Sequence, residues 1–149
     1  MILIKSGEMM SLHSINAQIR SVQNSIYHLN GQLEAKKEEL RRLRQAQSDL
    51  SECKNDLQKN ERLCTQPNLT PKTWNGYLAD NYDSFRERDL LASYKDIYHS
   101  QLGSVLSDIS SKMGEINGTI EELKTSIQSC EQRLSSLYEA RSRALEDDD

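Results

Sequence analysis

From Leu12 onward the apolar residues fall at alternating spacings of three and four: Leu12, Ile15, Ile19, Val22, Ile26, Leu29 and Leu33. This is the periodicity of a helix that packs along a seam, and it restricts the fold more than any other feature of the chain. The stripe continues through Leu40, Leu43, Leu50, Cys53, Leu57 and Cys64, with Lys36 and Gln47 at seam positions and a drift around Leu50. A second, more regular stripe runs through Leu102, Leu106, Ile109, Met113, Ile116, Ile120, Leu123, Ile127, Cys130, Leu134 and Leu137. Upstream of it Leu78, Phe85, Leu91, Tyr94 and Tyr98 extend an apolar face with more aromatic character.

Composition matters here for one decision. With 36% hydrophobic and 5% aromatic residues, the chain lacks the material for a large globular core. It is either disordered or built from amphipathic helices, and regular apolar spacing selects the second.

Between the stripes lies "TQPNLTPKT", which holds both prolines. A proline inside a helix loses a hydrogen bond and clashes with the preceding turn, so both helices stop there. Thr70-Pro71 and Thr73 offer cap chemistry for the second helix. A connection this short returns the chain antiparallel. The expectation is an all-α fold, a long antiparallel two-helix hairpin of coiled-coil type that completes a four-helix assembly with a partner or with itself. Its parts are a flexible lead-in or mis-called start over 1–9, helix one over 10–64, a turn with Trp-x-Gly over 65–75, helix two over 76–145 and an acidic tail over 146–149. A symmetric hairpin places residue i opposite about residue 140 − i, so that Leu12 lies near Gln128 and the last turns of helix two overhang. Carboxylates in "EDDD" oppose the macrodipole at a helix C-terminus and predict fraying there. Gly31, Gly103, Gly114 and Gly118 fall inside the helices, either simply tolerated or permitting a close approach or a bend.

The net charge of −4 carries no nucleic-acid signal. Residues 1–70 hold 10 basic and 8 acidic groups and residues 71–149 hold 9 and 15, an asymmetry that favours docking of the two helices. "KKEELRRLR" mixes signs and reads as a solvated helix face. Cys53, Cys64 and Cys130 show no metal-ligand spacing, and Cys53 and Cys130 sit on the apolar stripes, where a thiol acts as a small hydrophobe. His13, His28 and His99 do not converge in the expected register. There is no phosphate loop, nucleophile elbow or paired-carboxylate arrangement. No enzyme activity, cofactor or metal is expected. Asn68-Leu69-Thr70 and Asn117-Gly118-Thr119 match a glycosylation sequon of a length that arises by chance. No stretch is long and apolar enough for a signal peptide or a membrane span, so a cytoplasmic protein, or one exported without a cleaved signal, is expected.

The only tryptophan stands at the turn, in Trp74-Asn75-Gly76, followed by Ala79 and an aromatic at Tyr82 or Phe85. A glycine lets the backbone turn, and an indole can lie across the groove where two helix ends meet. That suffices for a hairpin staple. The chain also resembles the WXG-type (Esx-like) helical proteins of bacterial type VII secretion, in which this tripeptide joins two antiparallel helices. It is most similar to the longer Gram-positive relatives encoded beside LXG polymorphic toxins. The resemblance implies a non-enzymatic adaptor that pairs with the N-terminal helices of an LXG-type toxin, alone or with a second small helical adaptor. Trp74, Phe85 and Asp89 are then candidates for recognition by a partner or the secretion apparatus, and Leu12, Ile15, Ile19, Val22, Ile26 and Ile109 for a partner-facing stripe. Phe85-Arg86-Glu87-Arg88-Asp89 matches Phe-x-x-x-Asp at the start of helix two, whereas family signals of this kind lie near the C-terminus. Tyr138 is followed four residues on by Ser142, so the mycobacterial Tyr-x-x-x-Asp/Glu signal is absent. The alternatives are a cytosolic coiled-coil homodimeric scaffold unrelated to secretion, and a phage or cell-wall coiled coil.

Overall fold

The computed structural model describes residues 11–70, 72 and 74–147. Expectations for residues 1–9, for the caps at Pro71 and Thr73 and for residues 148–149 lie outside the described residues. The described residues are all-helical apart from the linker between two long helices, and they form a helical hairpin. Helix α1 spans Leu12–Asn60 and tightens into a 3-10 turn at Glu61–Cys64. After the linker come α2 at Tyr77–Phe85, a π-turn at Arg86–Leu90, α3 at Leu91–Asp96, a second π-turn at Ile97–Gln101 and α4 at Leu102–Asp147. Backbone angles stay helical at every junction from Arg86 to Leu102, so α2 to α4 make one helical run that holds two wider turns.

Local chemistry sets the ends. Ser11 caps α1: its hydroxyl accepts from the Ser14 N–H at 3.1 Å and its carbonyl from the Ile15 N–H at 3.0 Å. At the other end the Arg62 carbonyl accepts from both the N–H and the hydroxyl of Thr65, at 3.2 and 3.3 Å. The helix α4 runs through Asp147, into the segment where fraying was expected.

Two compact units divide the chain, one of residues 1–40 with 115–149 and one of residues 41–114. In the first, Ile15, Ile19, Val22 and Leu137 form a buried cluster, with Ile26, Cys130, Leu134, Ala140 and Ala144 packed against it. Each of the four buried side chains contributes about 1.5–3 kcal/mol of burial. The Gln23 amide donates to the Tyr138 hydroxyl at 3.0 Å and marks the register. That register corrects the symmetric expectation, which would place Gln23 opposite about residue 117. Ala140 and Ala144 therefore lie inside the packing and do not overhang.

The second unit has a register of its own. The Tyr94 hydroxyl donates to the Leu57 carbonyl at 2.6 Å, and Gln47 donates to Ser110 at 3.2 Å. Helix two begins at Tyr77, well before it reaches the end of α1, and the linker folds back over these first turns. In this unit Cys53 is exposed, and the face passes through Leu50, Lys54 and Leu57 instead, which corrects its assignment to the stripe. A Cβ at Gly31, Gly103, Gly114 or Gly118 would meet nothing within 4 Å, so none of them serves a close approach inside the chain.

Candidate functional site

The turn that carries Trp74 is built from the backbone upward. Gly76 has φ 99° and ψ −173°, a conformation open to glycine and strained for other residues. Its carbonyl accepts from the Asp80 N–H at 3.0 Å and so starts α2. Just upstream the Trp74 N–H donates to the Thr70 carbonyl at 2.9 Å, closing one turn of backbone.

The indole does not plug the end of the seam. Trp74 is 43% exposed and meets the Tyr82 ring at 5.8 Å between centroids, tilted by 52°. The residues buried at this end are Cys64, Ala79, Arg86 and Tyr98. Ala79 and Arg86, seven apart, share the inner face of helix two. Leu78, Tyr82 and Phe85, at i, i+4 and i+7, share another and are 70%, 47% and 49% exposed. Leu78 and Phe85 thus do not extend the apolar seam, as their sequence position suggested. With Trp74 and Tyr77 they form an exposed apolar patch on the turn and α2. An open depression lined by Leu63, Gln66, Pro67 and Asn68 lies on the linker.

Arg86 is the residue that sequence reasoning missed. It is 2% exposed, the one charged residue buried among the described residues. One guanidinium nitrogen donates to the Pro67 carbonyl at 2.8 Å, the other pairs with the Asp83 carboxylate, and the group lies 5.1 Å from the centre of the Tyr82 ring. The available signal was its place seven residues after Ala79, on a face where a charge needs a partner.

Below the patch a polar cluster ties the end of α1 to helix two. Buried Tyr98 donates to the Glu61 carboxylate, and the Lys95 ammonium lies 3.4 Å from the same group. The Tyr98 hydrogen bond holds the Glu61 carboxyl below its ordinary value, against the opposing effect of burial and with help from Lys95. That same bond, with burial, pushes the Tyr98 phenol up to about 12. Burial raises the Tyr94 phenol as well. These are holding contacts between side chains and carbonyls, with no nucleophile and base brought together.

The remaining expected site residues are placed as follows. Asp89 is exposed, on the first π-turn. Ile15, Ile19 and Val22 are 2%, 4% and 5% exposed and are covered by the chain's own second helix, which corrects their assignment to a partner-facing stripe. Their apolar area is already consumed by Leu137 and its neighbours. Leu12, Ile26 and Ile109 are half-buried and keep part of theirs. Among the described residues no three His, Cys, Asp or Glu side chains gather as a metal site, and no helix is long and apolar enough to cross a membrane.

A protein-family model described as YwqH-like matches residues 17–139, which include most of both long helices and the turn between them. No curated protein and no solved structure matches the chain.

Proposed function

We propose, from the premise that this chain belongs to the YwqH-like family, that it is a non-enzymatic adaptor for type VII secretion. In this reading it pairs with the N-terminal helices of an LXG-type toxin and carries the turn by which the pair is recognised. The family's association with LXG toxin systems supports the first part.

The observation that carries the second part is the exposed patch of Trp74, Tyr77, Leu78, Tyr82 and Phe85. At their exposed fractions these five side chains leave on the order of 500 Å² of apolar surface in water. That is at the upper end of what a monomer keeps without a use for it. Covering it would contribute about 12 kcal/mol before costs. Association itself costs about 4–15 kcal/mol, so the patch alone comes close to break-even. A partner helix must also cover half-buried seam residues, and Leu29, Leu43, Leu50, Leu57, Leu106, Ile109 and Met113 offer them along both helices. Pairing in this form is burial of apolar stripe by added helices, as in a four-helix assembly.

Co-expression with the toxin's N-terminal helices tests the reading. The two should co-purify, and Trp74→Ala should keep helix content while weakening co-purification or export. A stable homodimer that ignores the toxin helices would sink the adaptor. Wild-type export by the Trp74→Ala variant would remove Trp74 from recognition.

A further inference from the structure

We propose that Arg86 is the positioning residue of the turn: it sets the direction in which Trp74 is presented. The inference rests on the reading of the turn as a recognition surface, although its main readout needs no partner.

A continuous set of contacts leads from the linker to the indole. The Pro67 carbonyl accepts from Arg86 at 2.8 Å, the Arg86 guanidinium lies 5.1 Å from the Tyr82 ring centre, and Tyr82 meets Trp74 at 5.8 Å. Asp83, one turn before Arg86, holds the other guanidinium nitrogen and fixes the rotation of the group about its stem. Both sides of the turn are thus tied to one side chain: Pro67 on the linker before Trp74, and Tyr82 and Asp83 on the helix after it.

Two features set this arginine apart from ordinary charge balance. A surface Asp83 could find a cation without burying it, yet Arg86 is 2% exposed. Its Nε is also, among the described residues, the one buried side-chain polar atom without a hydrogen-bond partner. A buried donor left unmade costs free energy, so the orientation is imposed by the three contacts and not by the needs of Nε. Those contacts require a fork: two nitrogens bound to different acceptors while the central carbon stays 5.1 Å from the centre of a ring. A lysine supplies the charge but not this geometry.

The chain holds a single tryptophan, so its fluorescence reports on Trp74 alone. The test compares acrylamide quenching of the full chain in wild type, Arg86→Lys and Arg86→Met, with far-UV circular dichroism as the control for folding. In both variants the quenching constant should rise about two-fold, the change from 43% exposure toward full exposure, while helix content stays. A wild-type constant in Arg86→Lys would show that charge alone suffices and would overturn the proposal. A lowered melting temperature with unchanged quenching below it would mark Arg86 as a mere stabiliser and overturn it too. Should the Arg86 variants fail to fold, Tyr82→Leu removes the ring between the guanidinium and the indole and should give the same rise. An unmoved Trp74 in that variant refutes the relay.

Where toxin helices bind, Arg86→Lys and Trp74→Ala should weaken pairing to the same degree and not additively. Additive losses would count against the proposal. Absence of pairing by the wild type would sink the proposed function and leave the quenching result to decide on Arg86.

Discussion

The same substitution, glycine to alanine, should act with opposite sign at two positions that both face open space. At Gly76 an added Cβ meets nothing within 4 Å, so its cost is entirely that of holding φ at 99° with ψ −173°. For a residue with a side chain that conformation costs about 1–3 kcal/mol. At Gly114 the added Cβ also meets nothing, but the backbone is helical. There alanine should gain about 0.8–1 kcal/mol from helix propensity alone. Neighbour contacts cancel from the comparison, which leaves backbone conformation as the one variable. Urea unfolding followed by far-UV circular dichroism measures it. With a denaturant slope of about 1–3 kcal/mol per molar, Gly76→Ala should lower the midpoint by about 1 M and Gly114→Ala raise it by about 0.5 M. Shifts of the same sign would refute the reasoning. If Gly76→Ala unfolds at the wild-type midpoint, glycine is not needed at the turn, and the third position of Trp-x-Gly has to be explained by something other than its backbone.

Three further outcomes follow from the packing and the polar cluster. The Glu61 carboxyl is held below 4.5, so its contribution to stability is present above that pH and lost as pH falls through the folded value. Tyr98→Phe should return the Glu61 carboxyl toward its ordinary value and so flatten the acid limb of a pH–stability curve below 4.5. At the alkaline end the Tyr98 phenol rises from 10.0 to about 12, so its contribution is complete below pH 10 and lost as pH climbs toward 12. Glu61→Gln should lower that phenol's titration, read by tyrosinate absorbance. In the first unit, Ile19→Ala should cost about 2–5 kcal/mol in thermal or urea unfolding, whereas Tyr27→Ala, at a residue 77% exposed, should stay within about 0.5 kcal/mol.

The hairpin was legible because periodicity is a one-dimensional signal: Ile15, Ile19, Val22, Ile116, Ile120 and Ile127 declare their face by spacing alone, and they are buried. The register was not legible. It depends on where the linker lies, and a sequence rule that folds the chain symmetrically about its prolines ignores the bonds from Tyr94 to Leu57 and from Arg86 to Pro67. Cys53 failed for a related reason, since a drifting stripe leaves two candidates per turn and packing chooses between them. At the candidate site Trp74 and Gly76 stood out by residue type, whereas Arg86 did not. Its role comes from three contacts, of which only Asp83 and Tyr82 lie within one helical turn in sequence. The spacing of the inner face held a further clue. Eight residues separate Arg86 from Tyr94, where two turns of α-helix need seven, and Tyr94, Tyr98, Leu102 and Leu106 then follow by fours. Each surplus falls at a π-turn.

Those π-turns separate two properties that a plain helix locks together, the length of the chain and the direction in which its side chains face. In an α-helix a residue added or removed swings every later side chain by about 100°. A π-turn stores the surplus residue as a local widening, so Ala79 and Arg86 keep the same inward bearing as Tyr94 and Tyr98. Segments 86–90 and 97–101 are therefore the places where helix two can lose one residue and close to ordinary α-helix with its inner face still aligned. A deletion beside Ile116 or Ile120 has no such reserve, and would turn the remainder of α4 away from the residues that cover it.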